Sequence, residues 1–372
     1  MNIKPQFHGS DLEKIAEYYN LSQESIVNFG ANVNPLGLSK LARQSLIDHM
    51  DIISRYPDRE YKSLKRVIAN YCSVPIDTIM VGNGSSQLIS LLIEQIHPTK
   101  TLVLGPTYSE YARELSFSNS ESTYYHLNAE NDFQLNVQDF IHELKQGYDL
   151  LILCNPNNPT STAVHLQELR QIIDVCNTQN TYVMIDETYV EFCEDPKDVS
   201  AVSLVEEFKN FIVLRGVSKF FAAPGIRMGY GITSNRALRE QMLYHQTPWS
   251  LNSVAAFLGE MMLQDQPYIE ETRALISSEK KRITEALQAM PGIKVYPSDA
   301  NFLLIKLLCD NPTEGLGKCY KASHVFETCI QQGLMVRDCS SFQCLNGEYI
   351  RFCLLSPDDN DRLLDVLSEL FT

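Results

Sequence analysis

Four nearly continuous apolar runs mark the middle of the chain: TLVLGP (101–106), DLLILCNP (149–156), TYVMIDET (181–188) and NFIVLRG (210–216). Short runs without polar alternation are expected of strands covered on both faces, as in a parallel sheet. Between them lie amphipathic stretches of helical spacing, such as HLQELRQIIDVCNTQ from His165. The alternation predicts an α/β fold whose mainly parallel sheet is covered by helices. After about residue 233 the pattern changes. Long helical stretches over 235–246, 252–264 and 268–290 lead to strands near NFLLIKL, LMVRDC and YIRFCLL, and then to a terminal helix from about Pro357. That order predicts a smaller α+β domain made discontinuously from residues 1–40 and 251–372, with 41–250 as the large domain. NPTEGLGKCYKAS (311–323) reads as a surface loop.

Composition narrows the function classes. The chain has 372 residues, with 31 lysines and arginines against 46 acidic residues and a formal net charge of -15. That balance argues against sequence-independent binding to nucleic acid or anionic lipid, so an anionic substrate must meet a local cluster of arginines. No apolar stretch approaches bilayer-spanning length and no basic start leads into one, so the chain is expected to be soluble and cytoplasmic. Ten cysteines run from Cys72 to Cys353 without a C-x-x-C pair or a histidine at zinc-ligand spacing, and are expected to be reduced, mostly buried thiols; no metal is expected.

Ligands of an open parallel sheet collect at the C-terminal ends of its strands. Polar punctuation falls there. LILC is followed by NPNNPTS, YVMI by DETY, and FIVL by RGVSKFFAAPGIRMGYG. An aspartate placed directly after four apolar residues needs a partner, because an unpaired buried carboxylate is costly. One chemistry answers these features together. A lysine amine, Lys219, forms a Schiff base with the aldehyde of pyridoxal 5'-phosphate, whose ring nitrogen needs an acid such as Asp186. Asn158 and Tyr189 suit the phenolic O3′. Gly84, Ser85 and Ser86, opening the apolar-periodic helix of VGNGSSQLISLLIEQI, offer N–H groups to the phosphate, and Ser218 and Arg227 add a hydroxyl and a cation.

RYPD (55–58), NGSS (83–86), GPTYSEY (105–111), NPNNPT (155–160), DETY (186–189), SKFFAAPGIRMGY (218–230) and VRD (336–338) together resemble the fold-type I pyridoxal-phosphate enzymes, in their histidinol-phosphate aminotransferase-like branch. The resemblance covers almost the whole chain. It implies a fold-type I large domain with a smaller α+β domain, Lys219 as the Schiff-base lysine, and Arg227 on the cofactor phosphate. It also implies Asp186 on the pyridinium, Tyr108 stacked on the ring, and Tyr56 reaching the cofactor phosphate of a neighbouring subunit in a homodimer. Tyr111 is read as a plain core or interface aromatic. Two positions depart from the pattern: Gly216 stands where many relatives have a hydroxyl residue, and Ser161 replaces a customary glycine.

Within the branch, FHGSDL, NFGANVNPLG (28–37), TPWSLNSVA (247–255) and VRDCSSF (336–342) are similar to segments of threonine-phosphate decarboxylases, which make the aminopropanol phosphate of the cobalamin nucleotide loop. The resemblance implies decarboxylation of L-threonine O-3-phosphate or L-serine O-phosphate. Histidinol-phosphate-type transamination with 2-oxoglutarate is the alternative. His8, Gly9, Asn32, Asn158, Arg337 and Arg351 are the expected substrate contacts, with the division of phosphate and carboxylate between the two arginines left open. Lys219 is the nearest acid for returning a proton to Cα, with a tyrosine or water as alternatives. Trp249 serves packing or substrate closure.

Overall fold

The computed structural model describes residues 11–308 and 320–371. In chain order its strands are β1 (Val27–Asn28), β2 (Ile79–Asn83), β3 (Lys100–Gly105), β4 (Glu121–His126), β5 (Leu150–Cys154), β6 (Tyr182–Asp186), β7 (Phe211–Gly216), β8 (Met228–Ile232), β9 (Ile293–Val295), β10 (Phe302–Leu307), β11 (Leu334–Met335), β12 (Arg337–Asp338) and β13 (Tyr349–Cys353). The α-helices are α1 (Leu12–Tyr19), α2 (Lys40–Asp48), α3 (Lys62–Cys72), α4 (Gly84–Ile96), α5 (Ser109–Phe117), α6 (Val137–Leu144), α7 (Leu166–Thr178), α8 (Pro196–Val199), α9 (Arg236–His245), α10 (Ser253–Met262), α11 (Gln266–Gln288), α12 (Ala322–Gln331) and α13 (Pro357–Phe371).

The four apolar runs become β3, β5, β6 and β7 of a seven-stranded sheet ordered β2-β8-β7-β6-β5-β3-β4. From β4 to β7 the strands are parallel, and β8 runs antiparallel to both its neighbours. Both faces are buried, which is why the runs lack polar alternation. Leu151, Leu153, Val183 and Ile185 join one core cluster, while Leu150, Ile152, Met184 and Ile212 join a second on the opposite face with Leu88 and Leu92 of α4. Helix α7 begins as its sequence predicts, with Glu168 accepting the His165 N–H at 3.0 Å.

A four-stranded antiparallel sheet ordered β12-β13-β10-β9 follows, and β1 pairs in parallel with β11. Tyr19 of α1 donates to Glu327 of α12 at 2.8 Å, a second tie between the start of the chain and its C-terminal part. Packing on the large sheet continues past the expected boundary at residue 250, because α10 lies against α2, α3 and β8. Gly259 permits that approach: a Cβ there would come 2.3 Å from Met228 Sδ. The predicted surface loop is cut short by α12, and its residues 311–319 lie outside the described residues. Among the described residues no helix is long and apolar enough to cross a membrane.

Candidate active site

The C-terminal ends of β3, β5, β6 and β7 open onto one cleft of about 210 Å³. Its floor is Asp186, the last residue of β6, almost wholly buried. Asp186 Oδ1 accepts from the Thr188 N–H at 3.0 Å and from its hydroxyl at 2.5 Å, and Oδ2 accepts from the Tyr111 hydroxyl at 2.8 Å. Burial pushes this carboxyl above its ordinary range, and those donors pull the other way. No cation pairs with it among the described residues. Tyr111 is therefore no simple core aromatic: its ring is fully buried, and its hydroxyl is committed to the acid.

Lys219 lines the same cleft from the loop after β7. Its Nζ donates to the Ala31 carbonyl at 2.6 Å. Burial first, and then the charges of Arg351 and Arg227, lower the amine to about 8. The segment carrying Ala31 is fastened to the lysine loop by Asn34, whose N–H donates to Lys219 O at 3.0 Å and whose amide donates to Phe220 O at 2.7 Å. Asn34 was not singled out from the sequence, although it lies in the quoted NFGANVNPLG; an asparagine between apolar residues was the available signal.

At one end of the cleft α4 points its N-terminus inward, with Ser85 and Ser86 in the lining and Ser218 and Arg227 facing them. The first N–H groups of such a helix have no intrahelical acceptor, and with a nearby guanidinium they form an anion cradle. Glycines set its dimensions. A Cβ on Gly84, whose φ is +79°, would come 2.5 Å from Arg227 Nη2, and one on Gly229 would come 2.3 Å from the Ser85 nitrogen. Gly216 has a similar cause: a Cβ there would sit 3.2 Å from Met228 O. Ser161, the other departure from the expected pattern, adopts φ +65°. Its hydroxyl bonds Ser298 at 2.8 Å and accepts from the Ala300 N–H at 3.2 Å, contacts that a glycine could not make.

Tyr108 and Tyr189 form the walls. Tyr108 stands edge-on to Tyr111 with ring centroids 5.6 Å apart, and the Tyr189 hydroxyl accepts from Asn32 Nδ2 at 3.3 Å. Asn158 lines the cleft and accepts from Arg351 Nη1, while Arg351 Nη2 donates to Gly30 O at 2.5 Å. Arg351 Nε and Asn32 Oδ1 are buried without a partner among the described residues. A second cavity of about 140 Å³ adjoins the first, sharing Tyr108, Asn158 and Arg351 and adding Arg337, Ser341 and Gln343. Arg337 and Arg351 are direct cross-strand partners in β12 and β13. Like charges so placed repel unless an anion joins them. Burial and Arg351 both lower the Arg337 guanidinium, which donates to Ser341 Oγ at 2.7 Å.

Two groups of expected site residues fall elsewhere. Tyr56 is 82% exposed and packs on Trp249 at 5.1 Å rather than lining the cleft of its own chain. His8 and Gly9 lie outside the described residues.

The chain belongs to the class I and II aminotransferase family, whose model matches residues 24–367. It is 31% identical over 98% of its length to the threonine-phosphate decarboxylase of Salmonella typhimurium, covering 96% of that protein. It is also 28% identical to the histidinol-phosphate aminotransferase of Methanocaldococcus jannaschii over 100% of this chain and 96% of that protein. The fold matches that of the Sinorhizobium meliloti histidinol-phosphate aminotransferase in complex with pyridoxal 5'-phosphate, with a TM-score of 0.82 at 17% identity over 100% of this chain and 99% of that one.

The depressed lysine leads to a first prediction. Only the neutral amine attacks an aldehyde, so uptake of pyridoxal 5'-phosphate by the apoprotein should accelerate by about tenfold per pH unit below about 8 and level off above it. Stopped-flow absorbance reads this directly, and a rate still climbing well above pH 9 would contradict the shift.

Proposed function

We propose that this protein is a pyridoxal 5'-phosphate-dependent carboxy-lyase acting on an O-phosphorylated amino acid, L-threonine O-3-phosphate or L-serine O-phosphate. The residues fit the cofactor. A buried acid without a cation among the described residues, a cleft-facing lysine and an anion cradle lie at separate points of one cleft, where a ring nitrogen, an aldehyde and a phosphate would meet them. When bound, the cofactor captures the substrate amine through its aldehyde and takes up the electrons released when a bond at Cα breaks.

The protein's part is to hold and orient. Ser85, Ser86, Ser218 and Arg227 would grip the cofactor phosphate at the α4 N-terminus. Asp186 would keep the ring nitrogen protonated, Asn158 and Tyr189 would hold O3′, and Tyr108 would cover the ring face. Lys219 Nζ would carry the proton returned to Cα. Tyr56 would act in a neighbouring copy, and Tyr56, Tyr244 (85% exposed) and Trp249 (41% exposed) are apolar surface of the kind a homodimer covers.

The paired Arg337 and Arg351 carry the choice of reaction. A phosphorylated amino acid bears a dianionic phosphate and a carboxylate at once, and two adjacent guanidiniums with an unpartnered Arg351 Nε suit that load. Phosphate held there would leave the carboxylate out of the guanidiniums' grip, free to be the group lost from Cα. Similarity to a histidinol-phosphate aminotransferase over the full chain supports a second reading, transamination. The holoenzyme, given each phosphorylated amino acid with and without 2-oxoglutarate, separates the two. Release of CO₂ and an amino-alcohol phosphate independent of 2-oxoglutarate is expected; glutamate formation without CO₂ would establish the aminotransferase.

A further inference from the structure

We propose that Tyr111 is a positioning residue which, with Thr188, holds Asp186 ionised and turns its one remaining acceptor site towards the cleft. This rests on the cofactor reading and is independent of which reaction the enzyme catalyses. A carboxylate offers about four lone-pair positions. Thr188 fills two on Oδ1 with its N–H and its hydroxyl, and Tyr111 fills one on Oδ2. One position on Oδ2 remains, on a residue that lines the cleft.

The arrangement is specific in its chemistry. A phenol buried this deeply needs a hydrogen-bond partner, and here the partner is an anion with no neighbouring cation among the described residues. Desolvation alone would favour the neutral acid, which gives up a proton far less readily and cannot balance a positive ring; the donors from Tyr111 and Thr188 oppose it. The other titratable groups around Asp186 contribute no such bond. Tyr108 precedes α5, Cys154 ends β5 opposite Asp186 in the ladder, Tyr189 follows β6, and Lys219 and Arg227 reach the cleft from beyond β7.

Tyr111→Phe keeps the ring and removes the hydroxyl; Thr188→Val keeps the backbone donor and removes the other hydroxyl. In either variant Asp186 becomes more basic and takes a larger share of the proton from the ring nitrogen. That shift would raise the pH at which the Lys219 linkage to a bound cofactor gives up its proton. In each reconstituted variant the midpoint of the visible-band titration should rise by about one pH unit, the size of one lost hydrogen bond to a charged group. Cofactor retention, followed by dialysis, should weaken about tenfold. Turnover should fall with the KM for the amino acid little changed. Circular dichroism checks that each variant folds, and Thr188→Val carries the test should Tyr111→Phe not fold. Midpoints and retention equal to wild type in a folded variant would overturn the proposal. Absence of any visible band in wild-type protein would instead overturn the cofactor reading beneath it.

Discussion

Lys219→Ala protein is expected to purify without the visible absorbance of the wild type and to lose turnover by at least ~10²–10⁴-fold, the contribution of a positioned proton carrier alone. Lys219 is the one lysine among the described residues lining the cleft, so no neighbour replaces its amine. Removal should not unfold the protein. Burial disfavours the charged amine, and the bond surrendered is a single donation to Ala31 O. Thermal unfolding of the apoproteins would therefore give similar midpoints while absorbance and activity differ completely. A variant with a normal spectrum and normal turnover would refute the assignment.

Asp186→Asn should separate function from stability still more sharply. The amide cannot carry the charge that balances a protonated ring, and a loss of ~10²–10³-fold in kcat is expected, in line with removal of a preorganised electrostatic contact. Its effect on the apoprotein has the opposite sign. Folding raises the Asp186 carboxyl because burial disfavours the anion. The folded state is therefore penalised once pH exceeds the unfolded value, and the penalty is complete above the folded one. Asparagine lacks that penalty, and the Tyr111 hydroxyl can rotate to accept from the new amide. At neutral pH the apo variant should accordingly unfold at a temperature no lower than wild type. A large drop would show that Asp186 serves chiefly to hold the fold.

The sheet and the meeting of its strand ends in one cleft were legible because the same physics wrote both. Strands buried on two faces leave continuous apolar runs, and the first polar residue after each run, Asn155 or Asp186, marks the strand end where loops converge. Three strands of the same sheet left no such trace. β4 (ESTYYH) is a partly exposed edge, β8 (MGYGI) owes Gly229 to the start of α4 pressing on it and Gly231 to Ile212 and Met80 of the flanking strands, and β2 runs straight into that helix. Tyr111 was misread for a related reason. Its spacing is that of a core position and its ring is core; only the contact between α5 and the end of β6 reveals that its hydroxyl goes to Asp186. Arg337 and Arg351 could each be picked out as an arginine interrupting an apolar strand. Their adjacency depends on the β12–β13 register, which periodicity does not encode.

Reduction of the purified holoenzyme with borohydride, followed by mass mapping of its peptides, tests the central claim most directly. Reduction converts the linkage between lysine and cofactor into a stable amine. A pyridoxyl-phosphate group fixed on the peptide containing Lys219 is the predicted result. The same group on a different lysine, or on none, would contradict the account.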